Sequence, residues 1–307
     1  MHIAYCFDES YAEHAGTSVY SLLKNAARRD LLNIHLVSSA LTEATQEKFR
    51  RLGAQFDIRF RHYDVAAISD SLSKLQNYQY VSNIGWTRLF LPLLLEDSIE
   101  RVIYIDSDTV VLHDLSDLFH TELDQCPVGG VIDFSAQELQ KRLGVGTYIN
   151  SGVLLMDLSE WRKRNLTAEL LDFALSNLKK FYFGDQCAIN LYFEKNKKLL
   201  DSRWNTFCAS GYSMTPGEIS QAKILHFITG VKPWHSWFDH ELEPLYWKFR
   251  QETPFKGNPV APSNCDEAWK LARLKTKRGE LQAAIDIYDR ILKRFAGEPV
   301  DLDTKSP

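Results

Sequence analysis

The sequence predicts an α/β fold in which a mostly parallel, Rossmann-like sheet is flanked by helices and followed by a small C-terminal α-helical hairpin. Three observations predict it. Residues 2–63 alternate strand-like and helix-like runs in β-α-β-α-β order, the pattern of parallel strands joined by helical crossovers. Further apolar strand-like runs follow at 102–105, 128–132 and 152–158. After Pro254 the composition shifts to a proline-rich stretch and then to two amphipathic helical patterns.

The elements can be justified in order. Residues 2–7 (HIAYCF) read as a first strand ending at Asp8, Glu9 and Ser10, and residues 11–28 as a helix. NIHLVS at 33–38 reads as the second strand. Thr42 through Leu52 has helical spacing, with Thr42 as its cap and Gly53 as its stop. FDIRFRHY at 56–63 alternates like a third strand. A helix is expected near 86–95 and a long one over roughly 160–180. Residues 254–264 (PFKGNPVAPSN) read as a linker. In 266–295 two short helices meet around Gly279, a pattern that resembles one tetratricopeptide unit. The spacing turns Leu271 and Leu274 inward on the first helix, and Leu281, Ala284, Ile285, Tyr288 and Leu292 inward on the second. A single unit of this kind packs on the main domain or a partner, or begins a longer array; simple packing is the favoured reading.

Composition excludes several classes. Hydrophobic residues at 45% and charged residues at 25% of 307 fit a globular protein. A formal charge of -4 gives no basic surface suited to nucleic acid. The five cysteines are scattered and form no C-x-x-C pair, which argues against a disulfide framework or zinc site and for a reducing, cytoplasmic setting. The N-terminal residues do not read as a signal peptide. The most apolar run, 89-LFLPLLL-95, is too short to span a bilayer, so membrane contact is expected to be at most peripheral, at the inner face. Neither G-x-G-x-x-G nor G-x-x-x-x-G-K-[ST] occurs.

The chemical signal is 102-VIYIDSDTVVL-112, an apolar strand that runs into two aspartates one residue apart. Buried without partners, such a pair costs several kcal/mol, so a positive group is expected beside Asp106 and Asp108. A D-x-D alone is common in solvated loops. A hard divalent cation between two carboxylates and a pyrophosphate would answer the charge and steady a departing phosphate. In an α/β sheet, ligands sit beyond the carboxyl ends of strands, so Asp8 and Asp106 could face one crevice. The rival reading is a haloacid-dehalogenase-type phosphatase, whose D-x-D-x-[TV] pattern 106-DSDTV-110 also satisfies. That family needs its aspartate after the first strand and a late second acid, which 184-GDQCAIN-190 does not offer. A third reading is a non-catalytic sugar-nucleotide-binding scaffold.

The motifs together resemble glycosyltransferase family 8, the retaining GT-A group that includes bacterial lipopolysaccharide galactosyl- and glucosyltransferases. The likeness rests on 3-IAYCFDESY-11, 86-WTRLFLP-92, 103-IYIDSDTVV-111, 148-YINSGVLLMDL-158, 184-GDQ-186 and 226-HFITGVKPW-234, in the family's order over about 230 residues. The resemblance implies a GT-A domain with a mixed, mostly parallel sheet over 1–253; the linker 254–264 and the hairpin and tail over 265–307, read from the residues themselves, follow it. It implies a UDP-hexose donor (galactose or glucose) and a glycan acceptor such as lipopolysaccharide core or a glycosylated protein. A protein partner could engage the hairpin.

By the same resemblance, Asp106, Asp108 and His226 ligate manganese, with magnesium as the other hard cation suited to the site. Asp8 would bind the uracil edge with Ser10 nearby. Arg88, Ser107, Gly230 and Lys232 would lie on the donor side, with Lys232 pairing the diphosphate. Asp133, Asn150 and Ser151 would contact the donor sugar. Asp185 would bind sugar hydroxyls, and Gln186 would lie near the anomeric carbon. The chain departs from the family where many members carry glycine three residues after the histidine: it has Thr229 there and Gly230 next. Gln186 is a poor nucleophile, which favours same-face substitution through an oxocarbenium-like ion pair over double displacement. Trp234, Trp237, Tyr246 and Trp247 would either stack on acceptor sugars or pack the last helix of the domain. The basic residues Lys270, Arg273, Lys275, Lys277 and Arg278 read as a solvated face.

Overall fold

A computed structural model describes residues 1–75, 83–298 and 300–302. The strands are β1 (His2–Phe7), β2 (Asn33–Ser38), β3 (Arg61–Asp64), β4 (Arg101–Ile105), β5 (Thr109–Val111), β6 (Val128–Ile132), β7 (Ile149–Asp157), β8 (Lys198–Leu199), β9 (Thr206–Cys208) and β10 (Ile224–Phe227). The helices that frame them are α1 (Ala12–Asn25), α2 (Glu43–Ala54), α3 (Ser69–Lys74), α4 (Leu91–Leu94), α5 (Ser116–Phe119), α6 (Gln137–Leu143), α7 (Leu158–Lys163), α8 (Leu166–Asn177), α9 (Gly184–Tyr192), α10 (Pro216–Gln221) and α11 (Glu243–Gln251). The C-terminal pair is α12 (Cys265–Lys277) and α13 (Leu281–Phe295). The last predicted tail residues, 303–307, lie outside the described residues.

The main sheet has the order β3-β2-β1-β4-β7-β6-β8, and β7 runs against the other six. The sheet is therefore mixed and mostly parallel, as expected. Strand order reverses between β1 and β4, and in such sheets the crevice at the carboxyl ends of the two strands is where ligands bind. Alternation along the strands divides the core. In β1, Ile3, Tyr5 and Phe7 pack under α1 and α2, while Ala4 and Cys6 face the opposite layer with Trp86 and Leu89. β4 divides the same way, with Ile103 and Ile105 on one side and Val102 and Tyr104 on the other.

Some elements differ from the sequence reading for local reasons. The strand expected at 56–63 is only β3, because Asp57 adopts a left-handed conformation (φ 57°) after α2. The long helix expected over 160–180 breaks into α7 and α8 at Asn165 (φ 52°), a residue type that tolerates that conformation. The region expected as a helix near 86–95 is a 3₁₀ stretch over Asn83–Phe90 followed by the single turn α4, with Pro92 in its first turn.

A small second sheet, β5-β10-β9, was not foreseen as a unit. β5 begins directly after Asp108, and β10 pairs antiparallel to it with His226 opposite Thr109. β9 lies parallel on the other side of β10.

The hairpin meets the domain through a compact cluster in which Trp237 packs with Ala268, Leu271, Ala272, Ile287 and Ile291. The segment before it is also seated: Phe255 is buried in the main core, and Val260 bridges to His235. On α13 the inward face departs from the expectation. Ala284 is buried as predicted and Tyr288 is half-buried, but Ile287 and Ile291 fill the core, and Leu281, Ile285 and Leu292 face outward.

Candidate active site

The pairing of β5 with β10 builds the centre of the site. It brings His226 beside the aspartates, and the Phe227 amide donates to the Asp108 carbonyl at 2.9 Å. His226 Nε2 lies 3.2 Å from Asp108 Oδ1 and 3.9 Å from Asp106 Oδ2. One ligand atom from each of Asp106, Asp108 and His226 falls within 4.8 Å of the others. Two carboxylate oxygens and an imidazole nitrogen at that spacing are a donor set that fits a divalent cation.

The positive groups expected beside the carboxylates are Arg88 and Lys232. Arg88 is buried, with one guanidinium nitrogen 3.2 Å from Asp106 Oδ1, and its plane lies over the Tyr104 ring at 4.4 Å. The Tyr104 hydroxyl donates to the same Asp106 oxygen. Lys232 Nζ lies 2.7 Å from Asp108 Oδ2 and also donates to the Phe227 carbonyl. Burial alone would raise the Asp108 carboxyl, but Lys232 and then His226 outweigh it and hold the group well below the usual carboxylate range. The ammonium thus supplies part of the positive charge that a metal ion would bring to Asp108.

A residue not foreseen from sequence orients the histidine. Asn205, immediately before β9, accepts from His226 Nδ1 through Oδ1 at 2.9 Å, which leaves Nε2 to face the aspartates. Asn205 Nδ2 in turn donates to Asn150 Oδ1, which also accepts from the Gly152 amide, both at 2.9 Å. Asn150 donates to Asp133 Oδ2 at 3.1 Å, and so does the amide of Gln186. Gln186 Oε1 accepts from the Ser151 amide at 3.0 Å and faces the Ser151 hydroxyl. A continuous buried network therefore runs from His226 to Gln186. No local pattern around Asn205 signals this; its role arises from the β9–β10 pairing.

Gly152 is a second position that only the structure explains. A Cβ there would lie 2.2 Å from His226 Cε1 and 2.8 Å from Asp106 Oδ2. Its bare backbone lets β7 pass against His226 and Asp106, and its carbonyl accepts from the Asp106 amide at 2.7 Å.

The remaining candidate residues fall around this centre. Asp185 sits in the first turn of α9, buried, with Oδ2 3.1 Å from Arg88 Nε. That N–H donates to the Gly85 carbonyl instead, and Asp185 Oδ2 has no hydrogen-bond partner. Burial pushes its carboxyl up to about 6, with Arg88 opposing the rise. Ser107 is buried with an unpartnered hydroxyl. Asp133 caps the turn after β6, accepting from the Ser135 amide. Asp8 caps the turn after β1 and accepts from Ser10 and from the Tyr11 amide. Asp8 follows the carboxyl end of β1, which neighbours that of β4, where Asp106 stands.

The departure at 229 also has a structural form. Thr229 holds φ 73°, so the left-handed position is occupied by the threonine and not by Gly230.

The aromatic group after the motif packs and does not open to the site. Trp234, Trp237 and Tyr246 are buried, and Trp234 stacks on His14 with centroids 3.4 Å apart. The basic residues of α12 and its C-cap mostly face carboxylates: Lys270 pairs with Asp266, Lys275 with Glu280, Lys277 with Asp239 and the cap Arg278 with Glu243. Beside Asn205 opens a cavity of about 640 Å³, with Phe134, Ser135, Phe207, Tyr212 and Glu218 in its wall.

Comparison with known proteins agrees with this arrangement. The model of glycosyl transferase family 8 matches residues 2–238. General stress protein A of Bacillus subtilis is 28% identical over 282 residues, covering 85% of this chain and 97% of that protein. A lipopolysaccharide 1,2-glucosyltransferase of Escherichia coli is 25% identical, covering 83% and 79%. Among solved structures, a galactosyltransferase LgtC in complex with donor and acceptor sugar analogues superposes with a TM-score of 0.69 at 20% identity, covering 86% of this chain and 98% of that one. No helix among the described residues is long and apolar enough to cross a membrane.

Proposed function

The chain belongs to glycosyl transferase family 8, and on that premise we propose that it moves a hexose, galactose or glucose, from a UDP-sugar to a glycan acceptor with retention at the anomeric carbon. The observation that carries the reading is the meeting of Asp106, Asp108 and His226 beside the buried Lys232. Similarity to a lipopolysaccharide 1,2-glucosyltransferase supports a hexose donor and a surface-glycan acceptor. Family membership sets aside the phosphatase reading. The complete set of charged groups argues against a scaffold.

Asp106, Asp108 and His226 would hold manganese, whose chemistry is to neutralise the donor's diphosphate as it departs. The protein's own groups divide the rest of the task. Lys232 would leave Asp108 and pair with the diphosphate, adding charge where the leaving group develops it. Asp8, with Ser10 nearby, would bind the uracil edge. Arg88, joined to both Asp106 and Asp185, fixes two carboxylates at once. Asp185 would accept from sugar hydroxyls with its unpartnered oxygen. Asp133, Asn150 and Ser151 would line the sugar.

Gln186 would face the anomeric carbon with its amide held by Ser151 and Asp133. An amide so held orients but does not attack, which supports same-face substitution: the acceptor hydroxyl approaches from the side that UDP leaves, and the departing phosphate takes its proton. The cavity beside Asn205, with Phe134, Phe207 and Tyr212 in its wall, offers room and stacking surfaces for an acceptor sugar.

The test is release of UDP from a panel of UDP-sugars, with manganese, with EDTA, and in an Asp108→Asn variant. Manganese-dependent turnover of UDP-galactose or UDP-glucose, lost in the other two conditions, is the expected result. Turnover that persists in EDTA and in the variant would sink the metal assignment. Failure to bind any UDP-sugar would sink the donor class.

A further inference from the structure

His14 is a buried imidazole that no step of the proposed reaction uses. It stands in the first turn of α1, in the segment that follows Asp8 and Ser10. Its ring lies face to face with the indole of Trp234, centroids 3.4 Å apart and planes 11° from parallel. Trp234 follows Lys232 by two residues on the loop after β10. The stack therefore joins the segment that carries Asp8 to the segment that carries Lys232. Tyr11 closes the corner, its ring edge-on to His14 at 5.5 Å and to Trp234 at 5.8 Å.

The imidazole is held from behind. Nδ1 is hydrogen-bonded to the Tyr246 hydroxyl at 2.7 Å, and Nε2 lies 3.7 Å from Glu13 Oε1. Arg250 secures both partners, 3.3 Å from the Tyr246 oxygen and 2.7 Å from the other oxygen of Glu13. Burial, and then the Arg250 charge, hold the ring well below the usual imidazole range and so keep it neutral. The loop has other ties. The Trp234 carbonyl accepts from the Val260 amide at 2.7 Å, and the Pro233 carbonyl from the Trp247 indole N–H at 3.0 Å. Those bonds fix the loop to the linker and to α11; the stack fixes it to α1.

A nucleoside diphosphate has a set length between base and phosphates. Groups that hold its two ends must keep that spacing beforehand, or binding energy is spent on restoring it. Resting on the donor reading above, we propose that His14 is a positioning residue: its ring is the plate against which Trp234 sets Lys232 relative to Asp8 and Asp108, in register with a nucleoside diphosphate.

The experiment is isothermal titration of the full chain with manganese alone and with UDP in the presence of manganese. Two variants divide the contacts of the ring. His14→Asn keeps a polar atom where the histidine has Nδ1 and removes the plate. His14→Phe keeps a plate and removes the bond to Tyr246. His14→Asn should lose UDP affinity by about three- to tenfold, the worth of one aromatic stack. It should also bind manganese alone about threefold more tightly, because a loosened Lys232 competes less for Asp108. General destabilisation would give no such gain. His14→Phe should stay within about twofold of wild type in both titrations. In a Lys232→Met background, His14→Asn should change neither affinity, since it acts through the lysine. Wild-type manganese affinity in His14→Asn overturns the proposal, as does a Phe variant as weak as the Asn variant, or effects that add to those of Lys232→Met. A wild-type chain that binds manganese but not UDP would instead sink the donor reading, and the manganese titrations alone would still decide whether the stack positions Lys232.

Discussion

The crevice at the ends of β1 and β4 and the hairpin α12–α13 are held by different forces. In the crevice, buried polar groups are tied to one another across long sequence separations: Arg88 to Asp106 and Asp185, Lys232 to Asp108, and His226 through Asn205 to Asn150. Each link gains strength because Arg88, Asp185, Asn205, His226 and Lys232 are buried, and each lost partner leaves a costly orphan. The hairpin is held by a handful of apolar side chains around Trp237, and its charged pairs are exposed and worth little. A change of one atom should therefore disable the crevice, whereas the hairpin should respond to lost volume.

Substitutions can break that contrast or sharpen it, and Gly152→Ala should act most strongly. Its methyl would occupy the space of His226 and Asp106, and manganese affinity measured by isothermal titration should fall by more than about a hundredfold with little change in melting temperature. A variant that binds the ion normally would mean that the crevice yields as the hairpin does.

Leu271→Ala is the counterpart. It opens a cavity in the small cluster around Trp237 and should destabilise the hairpin by about 2–5 kcal/mol, seen as faster amide exchange confined to α12 and α13, with donor turnover kept. Loss of turnover would show that the two regions are coupled.

Asn205→Ala removes the acceptor that orients His226 and should weaken manganese binding by about 10–100-fold. Lys232→Met should do the reverse in the absence of donor. Freed from its competing ammonium, Asp108 should bind the ion about tenfold more tightly, while UDP affinity falls. Unchanged ion affinity in that variant would mean that lysine and metal do not compete. The smallest effect is expected of Thr229→Gly. It relieves a β-branched residue held at φ 73° and should stabilise the chain by about 0.5 kcal/mol in urea unfolding, after the greater freedom of glycine in the unfolded state is subtracted.

The two regions were also unequally legible. In the crevice, the residues that carry charge or chemistry stand in compact motifs: Asp106 and Asp108 end a strand, and His226 and Lys232 share one segment. Asn205 and Gly152 were invisible as functional positions, because one acts by a bond across β9 and β10 and the other by having no side chain. In the hairpin, helical periodicity announced both helices correctly. It misassigned the inner face of α13, because that helix carries two apolar seams and periodicity alone does not say which one the domain covers.

By itself, then, the sequence determined the alternation of strands and helices, the order of the motifs and the metal-suited character of the aspartate pair. These follow from side-chain period and from chemistry confined to a few neighbouring residues. The tertiary structure alone decided that β7 runs against its neighbours, that β5 and β10 join His226 to the aspartates, that Lys232 rests on Asp108, and that Ile287 and not Ile285 is buried. Those outcomes depend on contacts between residues far apart in the chain, where the competing arrangements differ in packing and desolvation rather than in local preference.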